Sequence, residues 1–206
     1  MHPINPGSNE LRQQLRFEAI ARRDSLSPSE RTVYSQDAIA LLRTYLEGIG
    51  AKFLHCYISF RTEVETRAFI EESLERGLRI VVPVVEELDN HRFLIHTEIK
   101  GLTDLRPSAF GLDEPIERNA STLESLDAVV LPLVAFDRRG MRLGYGKGFY
   151  DRFLHELPRS IPRIGLGFTV QEIPHIPIQP HDEPLDYIIT EREIIQTIRA
   201  ESSTTI

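Results

Sequence analysis

The chain has 206 residues, of which 41% are hydrophobic and 27% charged, and its formal net charge is −7. This composition excludes an intrinsically disordered chain, a collagen-like repeat and a disulfide scaffold. No apolar stretch approaches the roughly 18 residues of a membrane-spanning helix, and the acidic balance argues against nucleic acid as a partner. We expect one domain over residues 1–206 with an ordered core of about 9–199; the sequence does not reveal the oligomeric state, and a monomer is the default expectation.

The single cysteine and the N-terminal residues indicate the compartment. Cys56 lies in the apolar run 53–58, so we interpret it as a buried, inert thiol rather than a catalytic one. The first nine residues contain no apolar region of the kind found in secretory signals. We therefore expect a protein of the reducing cytoplasm.

Helix signals recur along the chain. A first helix is predicted from about residue 8 or 9 to Arg23. The second has an N-cap serine, a proline at the first helical position and a capping-box glutamate in 27–30, and it should end at Gly48. A second capping box, 62–65, predicts a helix that Gly77 terminates. A helix around 150–156 and a last one capped by 190–193 complete the set.

Runs of β-branched and apolar residues alternate with these helices. The predicted strands are 52–59, 78–85, 91–96, 128–135, 163–168 and 186–189. Strands buried on both faces are nearly continuous in apolar residues, as several of these are. We therefore predict an α/β fold, a single-domain sandwich with a mostly parallel central sheet and helices on both faces.

Positive charge is concentrated in two segments of this acidic chain. Residues 11–23 and residues 136–152 each carry a local charge of +3, and only three of the 24 basic residues are lysines, one of them Lys147 in the second segment. In the first segment, Arg12, Arg16 and Arg23 fall on one face of the predicted helix. That face is either solvated or delivers phosphate ligands to the second segment.

The second basic segment is also rich in glycine. Gly144, Gly146 and Gly148 alternate between a strand and a helix, which allows positive φ values and a cluster of N–H groups that suits a polyphosphate. Arg142 and Lys147 stand beside it. The pattern is neither the Walker motif nor a dinucleotide fingerprint, and the alternative is a flexible surface loop.

Three acidic residues are further candidates. Asp151 closes the glycine-rich segment with a carboxylate that could face Mg²⁺, and Asp182 is either a second metal ligand or an ordinary turn residue. Glu63 follows the first predicted strand, where ligands bind in open α/β sheets. It could accept hydrogen bonds from an amino-heterocycle or simply favour the first turn of a helix.

These motifs together resemble the 5-formyltetrahydrofolate cyclo-ligase family. The resemblance covers roughly residues 10–195 and depends most on the stretch Asp137-x-x-Gly140-x-Arg142-Leu143-Gly144-x-Gly146-x-Gly148-Phe149-Tyr150-Asp151. Leu15-Arg16, Glu63-Val64-Glu65-Thr66, Glu114-Pro115 and His181-Asp182 occur in the family's order. Arg12 stands where the family usually has lysine, which keeps the charge but changes its geometry.

The resemblance implies an ATP- and Mg²⁺-dependent ligase that converts 5-formyltetrahydrofolate to 5,10-methenyltetrahydrofolate, with release of ADP and phosphate. It implies that Lys147 and Arg142 are catalytic and that Asp151 and Asp182 hold the metal. The implied ATP ligands are Arg12, Arg16, Arg142, Leu143, Gly144, Tyr145, Gly146, Lys147, Gly148, Phe149 and Tyr150. The implied folate ligands are Ile58, Glu63, Tyr145, Gly146, Lys147, Gly148 and Phe149.

Two other functions remain open at this point. One is a nucleotide- or folate-binding paralogue without turnover. The other is a sugar-phosphate isomerase of related fold, which would need a general base with a perturbed pKa and no ATP. The lack of a nucleophilic triad motif fits phosphoryl transfer, which depends on positioning and charge neutralisation.

Overall fold

The computed structural model describes residues 6–89, 91–107, 113–118 and 121–197. Its strands are β1 (Phe53–Cys56), β2 (Arg79–Leu88), β3 (His91–Ile99), β4 (Leu105–Pro107), β5 (Asp113–Pro115), β6 (Ala128–Pro132), β7 (Ala135–Phe136), β8 (Arg142–Leu143), β9 (Arg163–Leu166), β10 (Tyr187–Ile189) and β11 (Ile194–Gln196). Seven of them form one sheet in the order β11-β10-β9-β6-β1-β2-β3. The five inner strands are parallel, and the two edge strands are antiparallel to their neighbours.

Helices cover both faces of this sheet, which confirms the predicted fold class. They are α1 (Pro6–Asp24), α2 (Pro28–Gly48), α3 (Arg67–Glu75) and α4 (Phe149–Glu156). Apolar residues of α2 and α3 pack on one face, and those of α4 pack on the other. The predicted capping box of α2 is present, with Ser27 and Glu30 bonded reciprocally. Within the described ranges, no helix is both long enough and apolar enough to cross a bilayer.

The strand order places a crevice between β1 and β6. After β1 the chain passes through α3 to β2 on one side, whereas after β6 it passes through α4 to β9 on the other. The connections therefore diverge at the carboxyl ends of these two neighbouring strands. In open α/β sheets such a point is the usual ligand site.

A small hairpin carries the glycine-rich segment to this crevice. The predicted strand 128–135 ends at Pro132, and β7 pairs with β8 as a separate antiparallel ribbon. One side of α1 packs on this ribbon through Leu15 and Ala19. The first helix and the glycine-rich segment, more than 100 residues apart in sequence, are thereby held together.

The last predicted helix is wrong. Residues 194–196 form β11, which pairs with β10 through a tight turn in which the Thr190 N–H bonds to the Glu193 carbonyl. The Thr190 hydroxyl accepts the N–H groups of Arg192 and Glu193, as it would at a helix N-terminus. Because a threonine cap serves a turn as well as a helix, the β-branched residues after it decide the outcome.

The predicted capping box at 62–65 is also wrong. Helix α3 begins at Arg67, and residues 62–66 form a loop. The Glu65 carboxylate accepts the Ser59 hydroxyl and the Arg67 N–H, and the Thr66 hydroxyl donates to the Tyr57 carbonyl. These bonds fasten the loop to the end of β1, whereas a helix starting at Thr62 would lose them.

Candidate active site

A cavity of about 500 Å³ occupies the crevice between β1 and β6, a size typical of small-molecule sites. Most of the site residues predicted from the sequence line it. They are Arg12, Arg16, Ile58, Glu63, Arg142, Gly144, Tyr145, Gly146, Lys147, Gly148, Phe149, Tyr150 and Asp151. Leu143, which is fully buried in β8, and Asp182 are not part of the lining.

The turn between β7 and β8 rests on a buried carboxylate. Asp137 accepts N–H groups from Arg139, Met141 and Ile176 and forms an ion pair with the Arg139 side chain. Gly140 has a φ of +87°, and a Cβ there would lie 2.6 Å from the Leu185 carbonyl oxygen. The turn is therefore fixed, and it presents the following residues 144–148 at the start of α4.

Two cations stand at this glycine loop, residues 144–148, with capacity to bind an anion. Arg16 Nε donates to the Gly144 carbonyl at 2.9 Å, and its two terminal nitrogens bond to no residue in the described part of the chain. The exposed Lys147 ammonium likewise has no partner among the described side chains. Burial and the neighbouring Arg12 lower the pKa of Arg16, so an anion in the cavity would stabilise its charge.

Arg142 and Asp151 form a second charged pair beside the loop. Arg142 Nη2 donates to Asp151 Oδ1 at 2.9 Å, and the other terminal nitrogen donates to the Glu183 carbonyl. The Glu183 N–H also reaches Asp151 Oδ1, at 3.3 Å. Asp151 Oδ2 receives no hydrogen bond from the described residues, so one carboxylate oxygen is available at the cavity wall.

Arg12 and Asp182 bind each other. The two side chains form a bidentate pair, with N–O distances of 2.6 and 2.9 Å and exposures of 6% and 3%. Asp182 also accepts the Gln179 N–H. The sequence predicted a phosphate ligand and a metal ligand as separate roles, whereas the structure pairs the two residues and turns Asp182 towards Arg12.

Glu63 lines the cavity from the loop after β1. It is 8% exposed, accepts the Phe60 N–H at 2.9 Å through Oε2, and accepts the Tyr145 hydroxyl at 3.1 Å through Oε1. Burial raises its pKa to about 7. Since α3 begins four residues later, the alternative that Glu63 is a first-turn helix residue is wrong.

The two basic segments contribute only part of their charge to the cavity. Arg138 pairs with surface glutamates, and Arg139 with Asp137. Arg23, on the predicted arginine face of α1, is buried behind the glycine loop instead. Sequence reasoning missed Arg61, which lines the cavity with a φ of +55° and lies over the Phe60 ring; its signal was its position at the end of a strand.

No cluster of three or more potential metal-ligating side chains from His, Cys, Asp and Glu occurs in the part of the chain that the structure describes. This geometry does not by itself exclude Mg²⁺, which commonly takes one or two protein carboxylates and fills its remaining positions with phosphate and water.

Comparison with known proteins identifies the family. Residues 8–191 match the model of the 5-formyltetrahydrofolate cyclo-ligase family. The chain is 31% identical to the 5-formyltetrahydrofolate cyclo-ligase of Haemophilus influenzae over 181 residues, covering 86% of this chain and 96% of that protein. The mouse enzyme of the same name is 27% identical over 89% of this chain and 95% of its own.

A solved structure agrees with these sequence matches. The 5,10-methenyltetrahydrofolate synthetase of Aquifex aeolicus superposes with a TM-score of 0.78 at 27% identity, covering 94% of this chain and 99% of that one. The chain therefore belongs to the 5-formyltetrahydrofolate cyclo-ligase family, which confirms the resemblance stated from its motifs.

Proposed function

We propose that this protein is the ATP-dependent cyclo-ligase that converts 5-formyltetrahydrofolate to 5,10-methenyltetrahydrofolate, with release of ADP and phosphate. The observation that carries the proposal is a cavity whose wall has two parts: a glycine loop with two cations whose terminal nitrogens have no partner among the described residues, and the buried Glu63 carboxylate. The first part suits a triphosphate and the second an amino-heterocycle.

The triphosphate lies along the glycine loop in this proposal. Arg16 offers the two terminal nitrogens that its bond to Gly144 leaves available, and Lys147 offers an ammonium group. Phosphate oxygens accept charge-assisted hydrogen bonds of this kind more strongly than neutral ones. Gly146 and Gly148, with φ values of +85° and +65°, let the backbone approach the phosphates closely at the N-terminus of α4.

The folate lies across the cavity, with its pterin ring at Glu63 and Ile58. An ionised Glu63 accepts the N–H groups of the amino-pyrimidinone ring, and Ile58 supplies apolar contact. Tyr145 and Phe149 are close to both ligands, because they belong to the glycine loop and to the start of α4 that follows it.

The chemistry needs no side-chain nucleophile. The formyl oxygen attacks the γ-phosphorus, the bond to the β,γ-bridging oxygen breaks, and ADP leaves. N10 then attacks the activated formyl carbon, the C–O bond breaks with release of phosphate, and the N10 proton goes to solvent or phosphate. Lys147 neutralises charge on the transferred phosphoryl group, and Arg142 holds Asp151 in place beside it.

Magnesium fits the donor set at Asp151. Its Oδ2 is available at the cavity wall, and a hard cation prefers such oxygen ligands. When bound with ATP, the ion supplies charge neutralisation at the phosphates. Asp182 could join it only after release from Arg12. We place the enzyme in the cytoplasm, as the sequence predicts, and take a monomer as the default state.

The deciding experiment measures the methenyl chromophore formed from 5-formyltetrahydrofolate, with and without ATP and Mg²⁺. We expect product only when both are present, and a Lys147→Ala variant that folds normally but turns over at least a hundredfold more slowly. Lys52→Ala, which removes an exposed lysine outside the cavity, should retain the wild-type rate. Absence of chromophore at saturating ATP would favour the silent paralogue, and nucleotide-free isomerisation of a sugar phosphate would favour the isomerase.

A further inference from the structure

The last turn of α1 contains an arginine that the proposed reaction leaves unused. Arg23 is 1% exposed and is among the largest fully buried side chains. Its Nε donates to the Thr62 hydroxyl at 3.0 Å and its Nη2 to the Tyr145 hydroxyl at 3.1 Å. The closest carboxylate, that of Asp24, is 4.0 Å from Nε and is largely exposed. Buried charges are normally paired directly, whereas Arg23 bonds to two hydroxyls and reaches the Asp24 carboxylate only through Thr62, whose hydroxyl donates to it.

Tyr145 connects Arg23 to Glu63, the carboxylate proposed to bind the pterin ring. Its hydroxyl accepts from Arg23 and donates to Glu63 Oε1 at 3.1 Å. The three side chains come from α1, the glycine loop and the loop after β1, and they form one hydrogen-bonded chain. Arg16, seven residues before Arg23 on the same face of α1, holds the same loop through the Gly144 carbonyl.

Apart from Arg23, the titratable groups of the described chain that interact with Glu63 are phenols. Besides Tyr145 they are Tyr57, from the end of β1, and Tyr150, from α4. The Tyr57 hydroxyl is already donated to the Val64 carbonyl. The charge of Arg23 lowers the pKa of Glu63, and the Tyr145 hydroxyl, which bonds to both side chains, lowers it further.

We propose that Arg23 is a positioning residue that acts through Tyr145 and makes nucleotide and folate bind cooperatively. The proposal rests on the proposed function, because it assigns the nucleotide to the glycine loop and the folate to Glu63. A loop with three glycines in five residues loses much conformational freedom when it becomes fixed. A nucleotide that fixes the loop also fixes Tyr145, and with it Glu63, so the folate meets a site already ordered. If the folate binds first, it tightens nucleotide binding by the same factor.

Equilibrium binding of 5-formyltetrahydrofolate, with and without a non-hydrolysable ATP analogue and Mg²⁺, tests this coupling. For the wild type we expect the analogue to tighten folate binding about fivefold or more, the lower range of typical coupling. In Tyr145→Phe, which keeps the ring and removes the hydroxyl, and in Arg23→Gln, the ratio should fall to within about twofold of one. The double variant should lose no more than either single variant, because both break the same chain.

Arg22→Gln is the matched control. It removes the same charge from the same turn of α1, and its Nε bonds to the Val170 carbonyl, away from Tyr145. The control should keep the wild-type ratio. Should Arg23→Gln fail to fold, Tyr145→Phe alone decides the outcome.

The pH dependence of folate affinity separates positioning from mere support of the fold. Folate binding should weaken as pH falls and Glu63 becomes protonated, and loss of Arg23 or of the Tyr145 hydroxyl should move the midpoint to higher pH. If both variants keep the wild-type pH midpoint and the wild-type coupling ratio, the inference is overturned, while the proposed function still stands. Absence of methenyl product from the wild type would instead overturn the proposed function.

Discussion

Replacement of Glu63 by glutamine should stabilise the protein at alkaline pH while it weakens folate binding. In the folded chain the pKa of Glu63 is about 7, against an ordinary value of 4.5. Between these two values the folded state binds more protons than the unfolded state, so stability falls as pH rises through this window. Above pH 7, the difference corresponds to about 3 kcal/mol of unfavourable free energy.

The glutamine variant avoids this cost but loses part of the local hydrogen bonding. Glutamine has one acceptor oxygen, whereas Glu63 accepts the Phe60 N–H with one oxygen and the Tyr145 hydroxyl with the other. One lost hydrogen bond costs about 1 kcal/mol, which leaves a net gain of about 2 kcal/mol at pH 8. For a chain of this size the gain corresponds to a rise in Tm of about 4–8 °C.

Thermal unfolding at pH 8 and at pH 5, combined with the KM for folate, measures both effects. We expect Glu63→Gln to melt higher than the wild type only at pH 8, with the folate KM raised about tenfold or more through the loss of a charged acceptor. Glu71→Gln, at an exposed position on α3, should change neither quantity. Equal destabilisation of Glu63→Gln at both pH values would refute the assignment of a buried carboxylate with a raised pKa.

Three further substitutions test the remaining parts of the site. Arg16→Gln should raise the KM for ATP about 10–150-fold, the cost of one or two charge-assisted hydrogen bonds, while Arg76→Gln, which breaks an exposed ion pair, should leave the KM unchanged. Asp151→Asn should raise the Mg²⁺ concentration for half-maximal rate about tenfold or more, as measured by metal titration of the initial rate. Gly140→Ala should lower the free energy of unfolding in urea by about 3 kcal/mol or more, because the added Cβ would meet the Leu185 carbonyl. The control Gly50→Ala, at a positive φ with open space around it, should lower it by about 1 kcal/mol.

For each of these three predictions, one result would contradict it. An ATP KM within twofold of the wild type in a folded Arg16→Gln protein would remove Arg16 from the phosphate site. An unchanged Mg²⁺ requirement in Asp151→Asn would remove that carboxylate from the metal. Equal urea midpoints for the two alanine variants would mean that the turn between β7 and β8 is not rigid.

Local sequence signals predicted a helix correctly where several independent helix-start signals occur together. The start of α2 had a serine cap, a proline and a glutamate at the required spacing, and the structure contains that box. The threonine signals at Thr62 and Thr190 had the same spacing without the proline, and both belong to turns. A side-chain cap specifies that the backbone changes direction, and tertiary contacts then decide whether a helix follows.

The order of the strands in the sheet determines which of the predicted site residues come into contact, and the sequence does not reveal that order. The runs of apolar residues predicted the inner strands, but no spacing along the chain could show that β6 lies beside β1. That adjacency brings the loop after β1, with Glu63, against the glycine loop, with Tyr145. The two were predicted as candidates independently, and their contact depends on residues 82 positions apart.

The charge pattern of the sequence predicted the contacts of the site residues less completely than the other signals did. Arg12, Arg16 and Arg23 share one face of α1, as their spacing predicts, yet each meets a different environment. Arg12 pairs with Asp182, Arg16 reaches the glycine loop, and Arg23 is buried. A helical face fixes only the direction of a side chain. What lies opposite that face is set by segments distant in sequence.

The partner of Arg23 determines whether its charge can act on the substrate side of the cavity. A carboxylate in direct contact would neutralise the guanidinium and remove one of the effects that lower the pKa of Glu63. The Tyr145 hydroxyl instead satisfies a donor of Arg23 without cancelling its charge, and passes a hydrogen bond to Glu63. Burial raises the pKa of Glu63, whereas the Phe60 N–H, the charge of Arg23 and the Tyr145 hydroxyl lower it, and the pKa of about 7 is the balance of these effects. Since Tyr145 belongs to the glycine loop and bonds to both Arg23 and Glu63, we expect a ligand that moves the loop to change the affinity of Glu63 for its own ligand.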